Sequence, residues 1–236
     1  MAENKLGSLF LIPVLLGDTE PLEVLPLSIK KRVDQIDHYI AENEKSARAF
    51  IKKVDPKKPQ GDLVFSVLNK YTEKEDIFHF LDPCKEGHDM GLLSEAGVPG
   101  VADPGSEIVA LAHRAGIRVV PLVGPSSILL ALMASGMNGQ EFCFNGYLPI
   151  EKAPRKRKIK SLETQARKGT SQIFMETPYR NMKLFEDLMT VCENESRLCI
   201  AADISLPGEF IRTRTISEWR NATPDLHKRP AIFILG

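Results

Sequence analysis

Cysteine, tryptophan and net charge are all scarce in this sequence. Its 236 residues include four cysteines and one tryptophan. Cys84, Cys143, Cys192 and Cys199 are widely spaced and form no Cys-x-x-Cys pair. Metal ligation is therefore not expected, and neither is a disulfide framework at this length. The 31 basic and 31 acidic side chains cancel. That balance excludes a surface that grips nucleic acid throughout, but leaves room for a local basic patch. No apolar run approaches the roughly 18 residues of a membrane helix. No N-terminal stretch joins a basic end to a long apolar region and a cleavage site. A soluble cytoplasmic protein is the expectation. There is no repeat of fixed period and no low-complexity tract.

What is present has the make-up of an ordinary globular protein, 43% apolar and 26% charged, with chain enough for one large domain or two small ones. Apolar runs over 8–16, 38–41, 62–68, 90–93, 117–123, 142–148, 171–176, 197–202, 210–216 and 231–235 read as strands. Amphipathic segments lie between most of them, so the class is α/β. Thr72 and Glu75 have capping-box spacing, which predicts a helix from Glu73 towards Leu81, ended or kinked by Pro83. Thr177 followed by Pro178 reads as an N-cap and first helical position, with the helix running to about Cys192. The expected domains are 1–121 and 122–236, which puts one glycine-rich junction in each half.

The central stretch is Ser94-Glu-Ala-Gly-Val-Pro-Gly-Val-Ala-Asp-Pro-Gly105, which follows the short apolar run 90–93 and precedes a helix. A loop of about a dozen residues is usually functional or disordered. Its glycines let backbone approach a ligand, and its two prolines argue for a fixed shape. A second strand–turn–helix junction is Gly124-Pro125-Ser126-Ser127. There the serines can cap the helix, and spare N–H groups can meet a ligand's polar atoms. Between 152 and 160 lie six basic residues: Lys152, Arg155, Lys156, Arg157, Lys158 and Lys160. Arg167 and Lys168 follow. Such a run is either a solvated helix face or a phosphate-contacting patch. No aromatic residue interleaves it, so base stacking there has no support.

These residues resemble a known family. The loop 94–105 is similar to the Ser-Asp-Ala-Gly-Thr-Pro-x-x-x-Asp-Pro-Gly signature of the tetrapyrrole methylase superfamily, and most similar to the branch containing ribosomal RNA small-subunit methyltransferase I. Val119-Val-Pro-Leu-Val-Gly-Pro-Ser-Ser127, Asn145-Gly-Tyr-Leu-Pro149 and Phe174-Met-Glu-Thr-Pro-Tyr-Arg180 agree in order and spacing with three further motifs. The N-terminal part departs from that branch. It has Ile12-Pro-Val-Leu-Leu-Gly-Asp-Thr19 where the branch has Ala-Thr-Pro-Ile-Gly-Asn-Leu, and Ala41-Glu-Asn-Glu-Lys-Ser-Ala-Arg48 in place of Glu-Asp-Thr-Arg.

The resemblance implies two α/β domains of the tetrapyrrole methylase type, S-adenosylmethionine in a cleft between them, and a homodimer. Carried over residue by residue, the cofactor contacts come from Ser94, Glu95, Ala96, Gly97, Val98, Ser126, Ser127, Leu148, Met175, Ala202 and Asp203. Lys156, Arg157 and Arg180 are the expected substrate contacts, within an RNA-binding patch over 152–168. A hydroxyl acceptor needs a proton acceptor, for which Glu95, Asp103 and Glu176 are candidates. Asp103 could equally cap the next helix, and Glu176 could equally pair with Arg180 four residues on. An RNA ribose is the favoured acceptor. A small tetrapyrrole-like molecule, a protein, or cofactor binding without catalysis are the alternatives.

Overall fold

A computed structural model describes residues 5–236, and the chain divides into two units, 1–126 and 127–236. The first unit runs β1 (Ser8–Ile12), α1 (Pro21–Val24), α2 (Leu27–Gln35), β2 (His38–Ala41), α3 (Glu44–Val54) and β3 (Val64–Val67). It continues with α4 (Lys74–Ile77), α5 (Asp82–Lys85), β4 (Met90–Leu93), α6 (Gly105–Arg114) and β5 (Arg118–Pro121). The division falls after Ser126, later than the 121/122 boundary expected from the placing of the two glycine-rich junctions. The segment beyond β5 stays with the first unit: the Leu122 N–H donates to the Leu11 carbonyl, and Gly124 lies against Pro13.

The five strands form a wholly parallel sheet in the order β3-β2-β4-β1-β5. The central strands β1 and β4 are apolar on both sides, as a doubly covered parallel sheet requires. Phe10, Ile12, Tyr39, Ala41 and Leu93 pack with Ile29, Val33 and Ile51 of α2 and α3. Their neighbours Leu9, Ile40, Met90 and Leu92 pack on the other face with Ile77, Cys84, Ile108 and Ala112. The chain therefore leaves β1 over one face towards β2, and leaves the adjacent β4 over the opposite face towards β5. In open α/β sheets the crevice beyond the carboxyl ends of two such strands is where ligands bind.

The second unit comprises α7 (Ser127–Ser135), β6 (Phe142–Tyr147), α8 (Lys152–Ala166), β7 (Ser171–Glu176) and α9 (Asn181–Val191). It ends with β8 (Arg197–Ala202), β9 (Phe210–Thr215), α10 (Ile216–Arg220) and β10 (Ala231–Leu235). Its sheet order is β6-β7-β10-β8-β9. β10 is antiparallel to both neighbours, and β6 is parallel to β7. The carboxyl ends of β6, β7 and β8 thus share one edge. One face packs Phe174, Ile200 and Phe233 against Ile159, Leu188 and Trp219. The Trp219 indole N–H donates to the Leu198 carbonyl at 2.9 Å, which satisfies its one polar atom.

Two helix starts differ from expectation. The Thr72 hydroxyl accepts from the Asn69 N–H and donates to the Val67 carbonyl, both at 2.9 Å. Held in that turn it cannot form the capping box, and in place of one helix there are the short α4 and α5. Pro83 lies in the first turn of α5 rather than ending a helix. Thr177 and Pro178 form a turn closed by the Arg180 N–H on the Thr177 carbonyl, so α9 starts only at Asn181. The first strand stops at Ile12, because Pro13 has no N–H to donate and the Val14 N–H turns away to the Gly97 carbonyl.

Phe233 is fully buried on the central strand and stacks on Phe174 with centroids 5.9 Å apart. Phe233→Ala is expected to cost about 3–5 kcal/mol, read as a lower denaturant midpoint in equilibrium unfolding.

Candidate active site

In the first unit three loops meet beyond the carboxyl ends of β1, β4 and β5. Gly97 sits where they touch. Its φ of 75° is left-handed, which suits glycine, and a Cβ there would come within 3.1 Å of both the Pro125 carbonyl oxygen and Leu16 Cδ2. The Gly97 carbonyl accepts from the Ser94 hydroxyl and the Val14 N–H, each at 2.9 Å. Ser94 is buried by that bond, while Glu95 and Ala96 remain exposed at the rim. Asp103 closes the far end of the loop, its Oδ1 accepting from the Gly100 and Gly105 N–H groups at 2.8 Å.

Beside this junction lies an open cavity of ≈ 440 Å³, lined by residues including Val14, Leu16, Phe50, Lys53, Ser94 and Glu95. The Ser46 hydroxyl donates to Glu95 Oε1 across its wall at 2.7 Å. Glu42, just past β2, is a functional candidate that motif reading passed over. Burial raises its carboxyl above the ordinary range, and the negative charges of Asp103 and Glu95 add to the effect. Asp103 is likewise raised by burial, against the pull of its two N–H donors. The signal available in the sequence was the segment 41–48, which stands where the resembled branch has Glu-Asp-Thr-Arg and has Glu42 as its first acid.

In the second unit Leu148, Met175, Ala202 and Asp203 lie along the shared carboxyl edge. Tyr147 pairs with Met175, and Ala231 lies between Glu176 and Ala202. Leu148 is 3% exposed and its side chain belongs to the core, so only its backbone can face a ligand. The same edge carries three non-glycine residues in left-handed conformation: Asp203 at φ 51°, Ser205 at 66° and Lys228 at 59°. Such strain persists where surrounding structure enforces it, and it concentrates at functional sites. Asp203 is held by Arg229 Nε at 2.6 Å. Glu176 is buried and accepts from the Thr177 N–H and from Arg180.

Comparison with known proteins agrees with this layout. Residues 8–219 match the tetrapyrrole (corrin/porphyrin) methylases. The chain belongs to that family. The methylase is 30% identical over 97% of its length to the ribosomal RNA small subunit methyltransferase I of Haemophilus influenzae, covering 78% of that protein. It is 31% identical over 90% of its length to the protein of the same name from Halalkalibacterium halodurans, covering 69% of it. Among solved structures, the methyltransferase CobJ superposes with a TM-score of 0.65 at 20% identity, over 98% of this chain and 94% of that one. Cobalt precorrin-4 methyltransferase CbiF gives 0.62 at 15%, over 97% and 94%. These two share the fold.

The methylase's donor is S-adenosylmethionine. The Gly97 loop fits such a group, since its glycine admits close backbone approach. The basic run needs correction. It forms the first half of α8, but Arg155 is 1% exposed and bonded inward. Lys160 pairs with Glu163 and Glu193, and Arg167 with Glu193. Lys156 lies 3.8 Å from Asp187, and Arg180 is committed to Glu176. Lys152, Arg157 and Lys168 remain as exposed cations on the run. Ser126 and Ser127 straddle the division between the units.

Glu42→Gln is expected to raise the melting temperature at pH 7.5. A carboxyl with raised folded pKa costs stability once ionised. The gain therefore shrinks as pH falls through that raised value and vanishes below the ordinary carboxylate range. Melting curves of both proteins between pH 4 and 8 check it.

Proposed function

We propose that this methylase transfers a methyl group to RNA, at a ribose hydroxyl of small-subunit ribosomal RNA. The observation that carries the reading is likeness along nearly the whole chain to proteins named as small-subunit ribosomal RNA methyltransferases, whereas CobJ and CbiF are only 20% and 15% identical. Bound S-adenosylmethionine supplies a methyl carbon already activated on a sulfonium. An acceptor hydroxyl would give up its proton to a base held by the chain. The chain's contribution is alignment and exclusion of water. In this reading the cofactor contacts are the backbone of Ser94, Glu95, Ala96, Gly97 and Val98, together with Ser126, Ser127, Leu148, Met175, Ala202 and Asp203.

Of the three candidate bases, Glu95 has the surroundings that suit the task. Its carboxylate is exposed at the cavity, and one oxygen is steadied by Ser46. Asp103 is engaged with two backbone N–H groups, and Glu176 with Arg180. Lys152, Arg157 and Lys168 are the phosphate contacts this reading retains. A homodimer and cytoplasmic residence belong to the same proposal. α7 supports the former with Leu129 and Met133, exposed one helical turn apart.

Two measurements test the reading. Calorimetric titration with S-adenosylhomocysteine is expected to show micromolar binding that is lost in Gly97→Val and Ser127→Trp. Labelled S-adenosylmethionine is expected to mark the RNA of purified small subunits that lack the modification; no label on that RNA overturns the acceptor. Glu95→Gln is expected to lower kcat by about 10²–10⁴-fold while the affinity for S-adenosylhomocysteine stays within threefold.

A further inference from the structure

Arg155 stands in the middle of the most basic stretch of the chain, yet its guanidinium faces away from solvent. Nε and Nη2 donate to Asp187 Oδ2 of α9 at 2.8 and 2.6 Å. Nη1 donates to two successive carbonyls of the loop between β6 and α8, Ile150 at 2.5 Å and Pro149 at 3.4 Å. Both partners are buried, with side chains 2% and 7% exposed. The group thus spends its fork on one carboxylate and on the two peptide units that directly follow Leu148.

Leu148 is pinned from both sides by this arrangement. Its side chain is buried in the core of the second unit, and the chain after it is tied down through Pro149 and Ile150. The Leu148 backbone is what remains to meet a ligand. We infer that Arg155 is a positioning residue for cofactor binding, fixing the Leu148–Pro149 backbone from behind while Asp187 balances its charge. This rests on the reading of Leu148 as a cofactor contact. Lysine cannot replace it, because a single ammonium on a flexible stem does not reach a carboxylate and two carbonyls in the fixed fork geometry of a guanidinium.

The test compares Arg155→Lys with Ile159→Ala, a core truncation one turn further along the same helix, by titration with S-adenosylhomocysteine and by melting. Both substitutions lower the melting temperature. Arg155→Lys is expected to weaken binding at least tenfold and to raise the KM for S-adenosylmethionine similarly, with kcat at saturating cofactor within threefold. Ile159→Ala is expected to bind within twofold of the unaltered protein. If Arg155→Lys does not accumulate folded, Asp187→Asn, which keeps the arginine but slackens its anchor, gives the same comparison with an expected loss of at least threefold. Binding by a folded clamp variant equal to that of the unaltered protein overturns the positioning role, as does equal weakening by Ile159→Ala. Absence of binding by the unaltered protein overturns the cofactor reading beneath it, and is thereby told apart.

Discussion

The insertion of β4 between β1 and β2 governs the ligand end of the first unit. Because β1 and β4 are neighbours whose chains depart over opposite faces, their following loops diverge and leave a crevice, with Phe50 and Lys53 of α3 in its wall. The hydrogen bond from Val14 to the Gly97 carbonyl ties the two loops together at the mouth of that crevice. It exists only because residue 97 adopts a left-handed conformation with no Cβ between Leu16 and Pro125. The exposed carboxylate of Glu95, the cavity beside it and the coupled acids Glu42 and Asp103 all depend on where that bond places the loop.

The second unit shows the same economy of charge that the whole composition displays. Glu163 is nearly buried, and burial by itself would raise its carboxyl. Bonds from Lys160, the Ser196 hydroxyl and the Glu193 N–H outweigh burial and hold it below the ordinary range. Stability from this group is present above the ordinary carboxylate pKa and is lost as pH falls through the depressed value. Arg155, Lys156 and Lys160 of α8 thus lie against the carboxylates of Asp187, Glu163 and Glu193, which is why a conspicuous basic run leaves so modest a basic surface.

The strands were legible because strands buried on both faces are short apolar runs bounded by turn residues, as in Met90-Gly-Leu-Leu93 and Ala231-Ile-Phe-Ile-Leu235. Glycine and left-handed junctions were legible for a similar reason, since few residues tolerate them. Helix starts at Thr72 and Thr177 were not, because a hydroxyl that suits a cap suits a turn equally well, and tertiary partners decide between them. Arg155 looked like its basic neighbours. The clue lay in spacing: positions 155, 159, 162, 163 and 166 form the buried stripe of α8, so the arginine opens an inward-facing row that Ile159 and Leu162 continue. Glu42 was hidden because its partners, Glu95 and Asp103, are distant in sequence.

Pro13 and Gly124 illustrate a constraint of another kind. A Cβ on residue 124 would collide with the Pro13 ring, so the ring occupies the volume that any larger residue at 124 needs. The two positions are epistatic: a substitution at 124 becomes tolerable only after the residue at 13 has shrunk, and the order of the two steps matters. Randomising Val14, Leu15, Leu16, Gly17 and Asp18 to redirect acceptor choice leaves that wedge untouched. A library that varies 13 and 124 independently would fill mostly with chains that cannot close the first unit.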